Sequence, residues 1–587
     1  MTSTALACTV KNYLRVVENL TADLRINMKK KLFLAGLLVA ALMTASCSDD
    51  ISDDKGGSND SKNEVGYVKV SINLPSASGN MTKANENGND NFDDGLEAEY
   101  NVNDVILAIF EGTSESDASC INTKNLTDLI PAKVGGNITV KYSTIPIEIQ
   151  KPADNKKLYA LVIANSKSTY GNNLVGQTLS KWNNEAQSVD LSMIADTIGK
   201  GNFLMTNSPI SNEPGAMQKS DSREVTTLVP LTVYDTKAQA EASELADQIY
   251  LERAVAKVTT SVNGANNELT INSNIQNAIY NGATVTFEGW RLQLTNKKFY
   301  PVRNVADWKT WDTYYVGGEL NRFYGYVANP FRVYWAIDPN YGTTNDGDLN
   351  KYQNVSDVTK WNELGKNEYC AENTTKAGQM SQSNLTTVLL KAKFRLKDAT
   401  EDDNLFMGAN TSAIYKENDF INLAKSKLTG ENALSSSENI KVKADATAKT
   451  ITTAEEVKTV FCKNDGSADS ELSDAQAAAI LTATDGTIKF YKGGVMYYYS
   501  TVIKHFGNKP TEFNGDTANP SYEEDKHLGR YGVVRNNWYE LRINSVSGPG
   551  EPEIPTIPDE PVDKKHSYIN AEINVLSWAK RTEDIDI

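Results

Sequence analysis

The sequence predicts an all-β protein built of β-sandwich domains, and three observations carry that expectation. Short runs of aliphatic and aromatic residues recur along the chain with strand-like alternation. Polar, Gly-rich connections separate these runs. Neither a βαβ alternation nor a fixed-length repeat is visible, which argues against a parallel α/β sheet or a solenoid. At 587 residues the chain exceeds what one core supports and suits two or three domains.

The clearest strand lies near the start. In Gly66-Tyr67-Val68-Lys69-Val70-Ser71-Ile72-Asn73-Leu74-Pro75, the residues Val68, Val70, Ile72 and Leu74 share one face. Lys69, Ser71 and Asn73 share the other, so a half-buried strand ended by proline is expected. Further strands are expected at Val105–Phe110, Leu158–Ala164, Phe203–Met205 and Val225–Val233. Thr236 to Gln248 reads as a helix, with Ala238, Ala242, Leu245 and Ala246 available for one face. A second group of strands is expected to open at Leu251–Val258. It continues through Thr284–Leu294, Phe331–Ile337, Thr387–Phe394, Gly494–Ile503 and Trp538–Val546.

Both ends of the chain carry their own signals. Met28-Lys29-Lys30-Lys31 followed by the apolar run Leu32–Met43 has the order of a secretory signal, too short to span a bilayer as a mature helix. Thr44-Ala45-Ser46-Cys47 then looks like a lipobox, with Cys47 as the lipidated residue. Residues 1–27 precede this signal and are expected to be a misassigned start; residues 47–63 form an acidic, flexible tether. At the far end Pro549, Pro552, Pro555, Pro558 and Pro561 recur every third residue. Polyproline II has three residues per turn, so this segment is expected to be a semi-rigid spacer reaching roughly 40–50 Å. Beyond it a second alternating segment places Ile569, Ala571, Ile573 and Val575 on one face, with Trp578 just after.

A lone amphipathic strand cannot bury its apolar face and must add to a sheet edge. Val70-Ser71-Ile72-Asn73-Leu74 and Ala571-Glu572-Ile573-Asn574-Val575 share an aliphatic–polar–Ile–Asn–aliphatic pattern, so both suit one groove. The loop between the first strand and the next element contains Lys83-Ala84. Lys83 is the only Lys or Arg from Ser71 to Thr123, which gives a trypsin-like protease one place to cut. A cut there would release the first strand and open its groove to the tail of another subunit by β-augmentation. Four buried aliphatic side chains supply roughly 5–10 kcal/mol gross. The contact is head-to-tail and does not close, so it builds a filament.

Composition excludes other classes. A net charge of −16 argues against nucleic acid as a partner. The three histidines, His505, His527 and His566, leave little material for a metal site or a general base. The cysteines Cys8, Cys47, Cys120, Cys370 and Cys462 form no CxxC pair and no zinc spacing. The last three read mostly as buried small hydrophobes, with one disulfide left open. No GxSxG, HExxH or P-loop is present, so no enzyme, catalytic residue, metal or cofactor is expected. Asn85–Gly95 fails the spacing of a calcium loop.

These segments, in their order along one chain, resemble the major fimbrillins of Bacteroidales, the type V pilins. The strongest matches are Glu252-Arg253-Ala254-Val255-Ala256-Lys257-Val258 and Val534-Arg535-Asn536-Asn537-Trp538-Tyr539. Ile573–Trp578, Leu158–Asn165 and Phe203–Asn207 also match. The resemblance implies two transthyretin-like Greek-key β-sandwich domains with a few short helices and a C-terminal donor-strand tail. It divides the chain into a lipoprotein signal peptide (28–46), a propeptide strand and cleavage loop (64–83) and an N-terminal domain (84–248). A C-terminal domain (249–547), the Pro-rich spacer (548–566) and the donor tail (567–587) complete the division. It further implies export as an outer-membrane lipoprotein, cleavage by a processing protease, homopolymerisation into a cell-surface fimbrium, minor anchor and tip fimbrillins as partners, and adhesion to host or bacterial receptors. Relatives are cut after Arg, whereas this loop offers Lys83.

Two other readings stand beside this one. The aromatic density of Phe299–Tyr341 suits either a glycan-binding surface lipoprotein or ordinary cross-strand packing. Arg535-Asn536 suits a turn into the last strand better than a ligand site. An anchor or tip subunit is the remaining alternative to a stalk subunit.

Overall fold

A computed structural model describes residues 64–75, 91–92, 96–133, 138–166, 170, 173–186, 203–211, 224–271, 280–314, 322–324, 332–342, 352–353, 360–397, 399, 402–408, 413–499, 502–506, 511–564, 570–571 and 579–586. The fold is mostly β-sheet with a few short helices.

The N-terminal set of strands contains β1 (Val65–Val68), β2 (Val70–Pro75), β3 (Val105–Gly112), β4 (Ser119–Asn125) and β5 (Leu129–Lys133). It continues with β6 (Ile138–Thr144), β7 (Ile147–Gln150), β8 (Lys157–Ala164), helix α1 (Leu179–Glu185), β9 (Met205–Asn207), helix α2 (Lys237–Ala242) and β10 (Asp247–Arg253). The main sheet runs β4-β3-β8-β9-β10-β2-β6-β5, and β1 pairs separately with β7. Strand β10 joins two sets of strands. Its first half, Asp247–Tyr250, runs parallel to β2, and Leu251–Arg253 run antiparallel to β9. The aliphatic residues of β3 and β8 are buried on both faces, and they form one core with Val68, Val70, Ile72, Leu74, Trp182 and Leu251.

Several local expectations change. Strand β9 begins at Met205, two residues later than expected, and within Val225–Val233 the strand covers Val229–Pro230 alone, with Thr226 in an isolated bridge to Ile210. The helix within 236–248 stops at Ala242, where Ser243 turns extended, and its buried residue is Ala240. Ala238 and Ala242 are exposed and Leu245 is among the most exposed large hydrophobics. Residues 247–253 pair as strand because β2 and β9 offer them two edges, a tertiary demand that outweighs helix propensity.

The C-terminal set of strands follows Ala254-Val255 with β11 (Ala256–Val262), β12 (Glu268–Thr270), β13 (Thr284–Gln293), β14 (Asn367–Cys370) and β15 (Thr387–Arg395). Between β15 and its antiparallel neighbour lies a module with its own core. It holds β16 (Leu405–Gly408), β17 (Ile414–Lys416), α3 (Glu417–Ser426), β18 (Lys449–Ile451), α4 (Ala454–Val460), α5 (Asp474–Leu481) and β19 (Ile488–Tyr491). Phe406 stacks on Phe420 at 4.5 Å and on Phe490 at 4.9 Å in that core. Capping boxes at Thr453/Glu456 and Ser473/Gln476 start α4 and α5. The chain then returns through β20 (Val495–Tyr499), β21 (Trp538–Ser545) and β22 (Ala579–Asp586). One sheet runs β12-β13-β15-β20 and the other β14-β11-β21-β22.

Phe331–Ile337 makes only isolated bridges at Arg332 and Ile337, and of Gly494–Ile503 the strand covers Val495–Tyr499. Phe299, Trp311, Phe323, Tyr334 and Trp335 are buried. Their region holds a short helix at Trp308–Trp311 in place of paired strands, so these rings pack inward without being cross-strand pairs. Cys120, Cys370 and Cys462 are free and buried.

A buried ionic cluster lies where the chain passes from β10 to β11. Glu252 on β10 accepts from Arg303 Nε at 2.8 Å and Nη2 at 2.6 Å, and from Ser208 Oγ at 3.1 Å. Arg535 donates through Nη2 to Glu372 at 2.8 Å and through Nη1 to the Pro301 carbonyl at 3.0 Å. Lys257 lies 2.9 Å from Glu99, with its ammonium 4.0 Å from the centre of the Trp538 ring. Burial alone would raise the Glu99 carboxyl, yet Lys257 and Arg253 beside it hold it below the usual carboxylate range. Asn536, in the left-handed region at φ 58°, donates its N–H to the Val255 carbonyl at 2.6 Å. The turn expected at Arg535-Asn536 is therefore real, and its side chains close the junction. Every charge here has a partner, and removal of one partner strands the other without water.

His505 and His527 are both buried. The Tyr334 carbonyl, 2.6 Å from His505 Nε2, can only accept, so Nε2 carries the proton. Nδ1 then accepts from Tyr539 Oη at 2.8 Å, and that hydroxyl accepts from the Val534 N–H. Burial pushes the imidazole down to about 3.

The Pro-rich segment is not an outstretched arm. Pro552 is buried and Pro549, Pro555, Pro558 and Pro561 are half-buried, while Glu553, Thr556 and Asp559 are exposed. The three-residue period thus turns one proline edge onto the domain. Glu551 exchanges two backbone hydrogen bonds with Tyr497, at 2.8 and 2.9 Å, and Val562 N–H donates to the Met380 carbonyl at 3.2 Å. At Gly550 a Cβ would stand 2.5 Å from the Tyr497 carbonyl oxygen, so only glycine permits this approach.

Two measurements probe these buried groups. Glu252→Gln leaves Arg303 without its carboxylate and is expected to destabilise the protein by about 3–5 kcal/mol, read as a lower urea midpoint. His505 is neutral when folded and protonates near 6.5 when unfolded, so its contribution is present above pH 6.5 and lost as pH falls toward 3. His505→Gln should flatten the acid limb of stability against pH by up to about 1.4 kcal/mol per pH unit in that window, checked by urea titrations at several pH values.

Candidate functional site: the groove of the first strand

The first strand is two strands in two settings. Tyr67 exchanges backbone hydrogen bonds with Tyr234, each 2.8 Å, on one side of β1, while β7 pairs on the other. Gly66 is required here: a Cβ would meet Val233 Cγ1 at 2.6 Å. Lys151 ties down the entry, 3.1 Å from Glu64 and 2.8 Å from Asp235. After Lys69 the chain crosses into the main sheet. There β2 lies between β10, parallel to it, and β6, antiparallel to it, with Ile72 opposite Ile249 and Tyr142.

Val68, Val70, Ile72 and Leu74 point into the core, each 2 % exposed or less. The opposite face differs from the half-solvated face expected, because Ser71 and Asn73 are also fully buried. The segment from α2 to β10 supplies their contacts. Lys69 Nζ donates to the Ser243 carbonyl at 3.0 Å, and Asn73 Nδ2 donates to Gln248 Oε1 at 3.1 Å. On the β6 side Thr144 Oγ1 accepts from Val70 N–H at 3.1 Å and donates to Val70 O at 3.2 Å. Among the described residues Ser71 Oγ and Asn73 Oδ1 nevertheless have no hydrogen-bond partner, each a cost of about 1–3 kcal/mol in a buried site. The strand is held by apolar burial, backbone pairing and the Lys69 and Asn73 Nδ2 hydrogen bonds, while these two oxygens work against retention.

Withdrawal of residues 65–75 would expose three backbone edges, on β6, β7 and β10, beside a lengthwise apolar cleft. The sequence pattern located Val68, Val70, Ile72 and Leu74. It did not reveal Gly66, Thr144 or Gln248, which lie on the partner elements or at a close approach visible only once the chain is folded.

The remaining candidate residues fall elsewhere. Cys47, Lys83, Ala84, Ile569, Ile573, Val575 and Trp578 lie outside the described residues. Asn570–Ala571 pair antiparallel with β22 at Asp586 and Ile585. The tail's long strand is β22, C-terminal to the alternating segment, where no pattern was apparent. It adds parallel to β21, from Trp538↔Lys580 to Ser545↔Asp586, because backbone pairing at a sheet edge does not require an apolar face. Asn91–Phe92, from the loop after the first strand, pairs with the start of β22. Among the described residues no group of three or more His, Cys, Asp or Glu side chains could hold a metal ion. No described helix is long and apolar enough to cross a membrane.

A family model described as "Major fimbrial subunit protein type IV, Fimbrillin, C-terminal" matches residues 489–584. A search of curated proteins finds no match. Among solved structures the chain is similar to a candidate cell adhesion protein from Parabacteroides distasonis, at 13% identity and TM-score 0.34, covering 89% of this chain and 99% of that one. It is also similar to the tip fimbrial protein Mfa3 from Porphyromonas gingivalis, with C-terminal truncation, at 11% identity and TM-score 0.29, covering 82% and 95%. The matched region runs from β19 through β20, β21 and the docked proline segment into β22. Over that region the chain is similar to the C-terminal part of the fimbrillins, the major fimbrial subunit proteins.

Proposed function

We propose that the protein is the stalk subunit of a cell-surface fimbria and polymerises by strand donation, in support of adhesion. The observation that carries this reading is the position of β2. It is central in its sheet, yet the connection from it to the rest of the domain carries a single basic residue, Lys83. In this reading a trypsin-like protease cuts after Lys83, before Ala84. The strand bearing Val68, Val70, Ile72 and Leu74 then leaves. The tail of a second copy enters between β10 and β6, with Ile569, Ala571, Ile573 and Val575 toward the core and Trp578 behind them.

The two domains are, in this reading, transthyretin-like Greek-key sandwiches, and the role is structural rather than catalytic. Export proceeds through a lipoprotein precursor anchored in the outer membrane at Cys47, and minor anchor and tip subunits complete the fibre. The unpartnered Ser71 and Asn73 atoms support release, because departure returns both groups to water. The inward packing of the aromatic region favours this reading over a glycan-binding surface protein.

Two experiments test it. Lys83→Gln should resist mild trypsin in its first loop and remain a folded monomer, and efficient fibre formation by that variant would sink the mechanism. Deletion of residues 568–587 should leave cleavage intact but abolish SDS-resistant ladders, as monitored by gel and negative-stain microscopy. Normal ladders from the deleted chain would count against donation by the tail.

A further inference from the structure

The docked proline segment ends in a clamp. Arg530, 6 % exposed, donates through Nε at 3.0 Å and Nη2 at 2.8 Å to the two carboxylate oxygens of Asp563. Tyr531 Oη donates to the same carboxylate at 2.8 Å, and the Asp563 N–H donates to Tyr522 Oη at 2.9 Å. The guanidinium also donates through Nη1 to the Thr511 carbonyl at 2.8 Å. Just upstream, Asp559 accepts from Ser381 and Ser383, both at 2.5 Å, and the Gln382 N–H donates to the Glu560 carbonyl at 2.8 Å. Val562 is buried in the core beneath. A bidentate pair to a largely buried arginine is the strong, directional class of ion pair. The segment is held at both ends, and the last of its contacts lie directly before the tail, where a free arm would need to leave.

We infer that Asp563, gripped by Arg530, Tyr531 and Tyr522, is the fixed origin of the donated tail and thereby positions the next copy of this chain. The inference rests on the strand-donation reading and deepens it. From Asp563 to Ile569 are six residues, a contour of about 20 Å at the extended limit. A free arm beginning at Gly548 would reach about three times as far. The acceptor groove of the neighbouring copy must therefore open within about 20 Å of Asp563, facing the surface that carries Tyr522 and Tyr531. A short tether holds a donor strand at higher effective concentration near its groove than a long one. It also restricts the angle at which successive subunits meet.

The test measures hydrogen exchange by mass spectrometry on the purified protein, as monomer and as fibres grown after mild trypsin treatment. The Glu551 and Val562 amides should be protected equally in both states. Free exchange of Val562 in the fibre, with protection only in the monomer, would overturn the inference, because the segment would have peeled away to lengthen the arm. Free exchange in the monomer itself would remove the clamp outright. Two insertions of Gly-Ser-Gly-Ser supply the second arm. Placed between Lys564 and Lys565, it should lengthen the fibre repeat or slow growth several-fold. Placed between Thr556 and Ile557, upstream of the clamp, it should leave both unchanged, and equal effects from the two insertions would overturn the assignment. Absence of wild-type fibres despite cleavage at Lys83 would instead sink strand donation, and the positional role with it, while Val562 protection would still report whether the clamp holds.

Discussion

Much of this structure depends on one set of buried charges. Glu252, Arg303, Glu372, Arg535, Lys257 and Glu99 meet where the chain passes from β10 to β11, and all are nearly without solvent. Such a cluster contributes little net stability compared with a well-packed apolar core, but it tolerates very few arrangements. Its value here is geometric. Glu252 belongs to β10, Arg303 and Glu372 to loops among the C-terminal strands, and Arg535 to the turn before β21. The observed placement brings all of them within reach of their partners. The β10 strand that carries Glu252 is also the strand that pairs with β2, so one wall of the candidate groove is held by the junction.

That connection bears on the proposal that the groove exchanges its occupant. A sheet that loses a central strand ordinarily collapses or recruits a partner at random, because exposed edges pair indiscriminately. Here β10 is anchored through Glu252, and Lys151, next to β7, also meets Asp235 at 2.8 Å, outside the first strand. These contacts do not depend on the strand between the walls. The strand itself carries two unpartnered polar atoms, and retention rests on its apolar face, its backbone pairing and the Lys69 and Asn73 Nδ2 hydrogen bonds.

Two features of the C-terminal strands bear on the proposed path of the tail. The proline segment lies against the domain through its repeating edge and is pinned at Asp563, which turns a long spacer into a short tether. The module between β15 and β20 packs around its own phenylalanine core, so it can be accommodated between two paired strands without disturbing their register. Lys489 of the module meets Glu551 at 2.7 Å, and Thr450 N–H donates to Glu553 at 3.0 Å, so the module also helps seat the segment.

The sequence by itself determined the all-β character, the apolar face of the first strand and the strands at 105–112, 157–164, 284–293, 387–395 and 538–545. These are local patterns, alternation and aliphatic runs bounded by turns, and they survive folding because each needs only an edge and a core. The capping boxes at Thr453 and Ser473 are equally local, but the strand-rich pattern around them masked the short helices they start. Tertiary structure alone decided the rest. It turned Ser71 and Asn73 inward, because the segment after α2 covers their face. It made strand of 247–253, because two edges awaited it, and it buried His505 between Tyr334 and Tyr539. It folded the proline segment back, since a period of three aligns an edge but does not say what that edge meets. In each case the deciding neighbour lies dozens to hundreds of residues away in sequence, and periodicity carries no record of it.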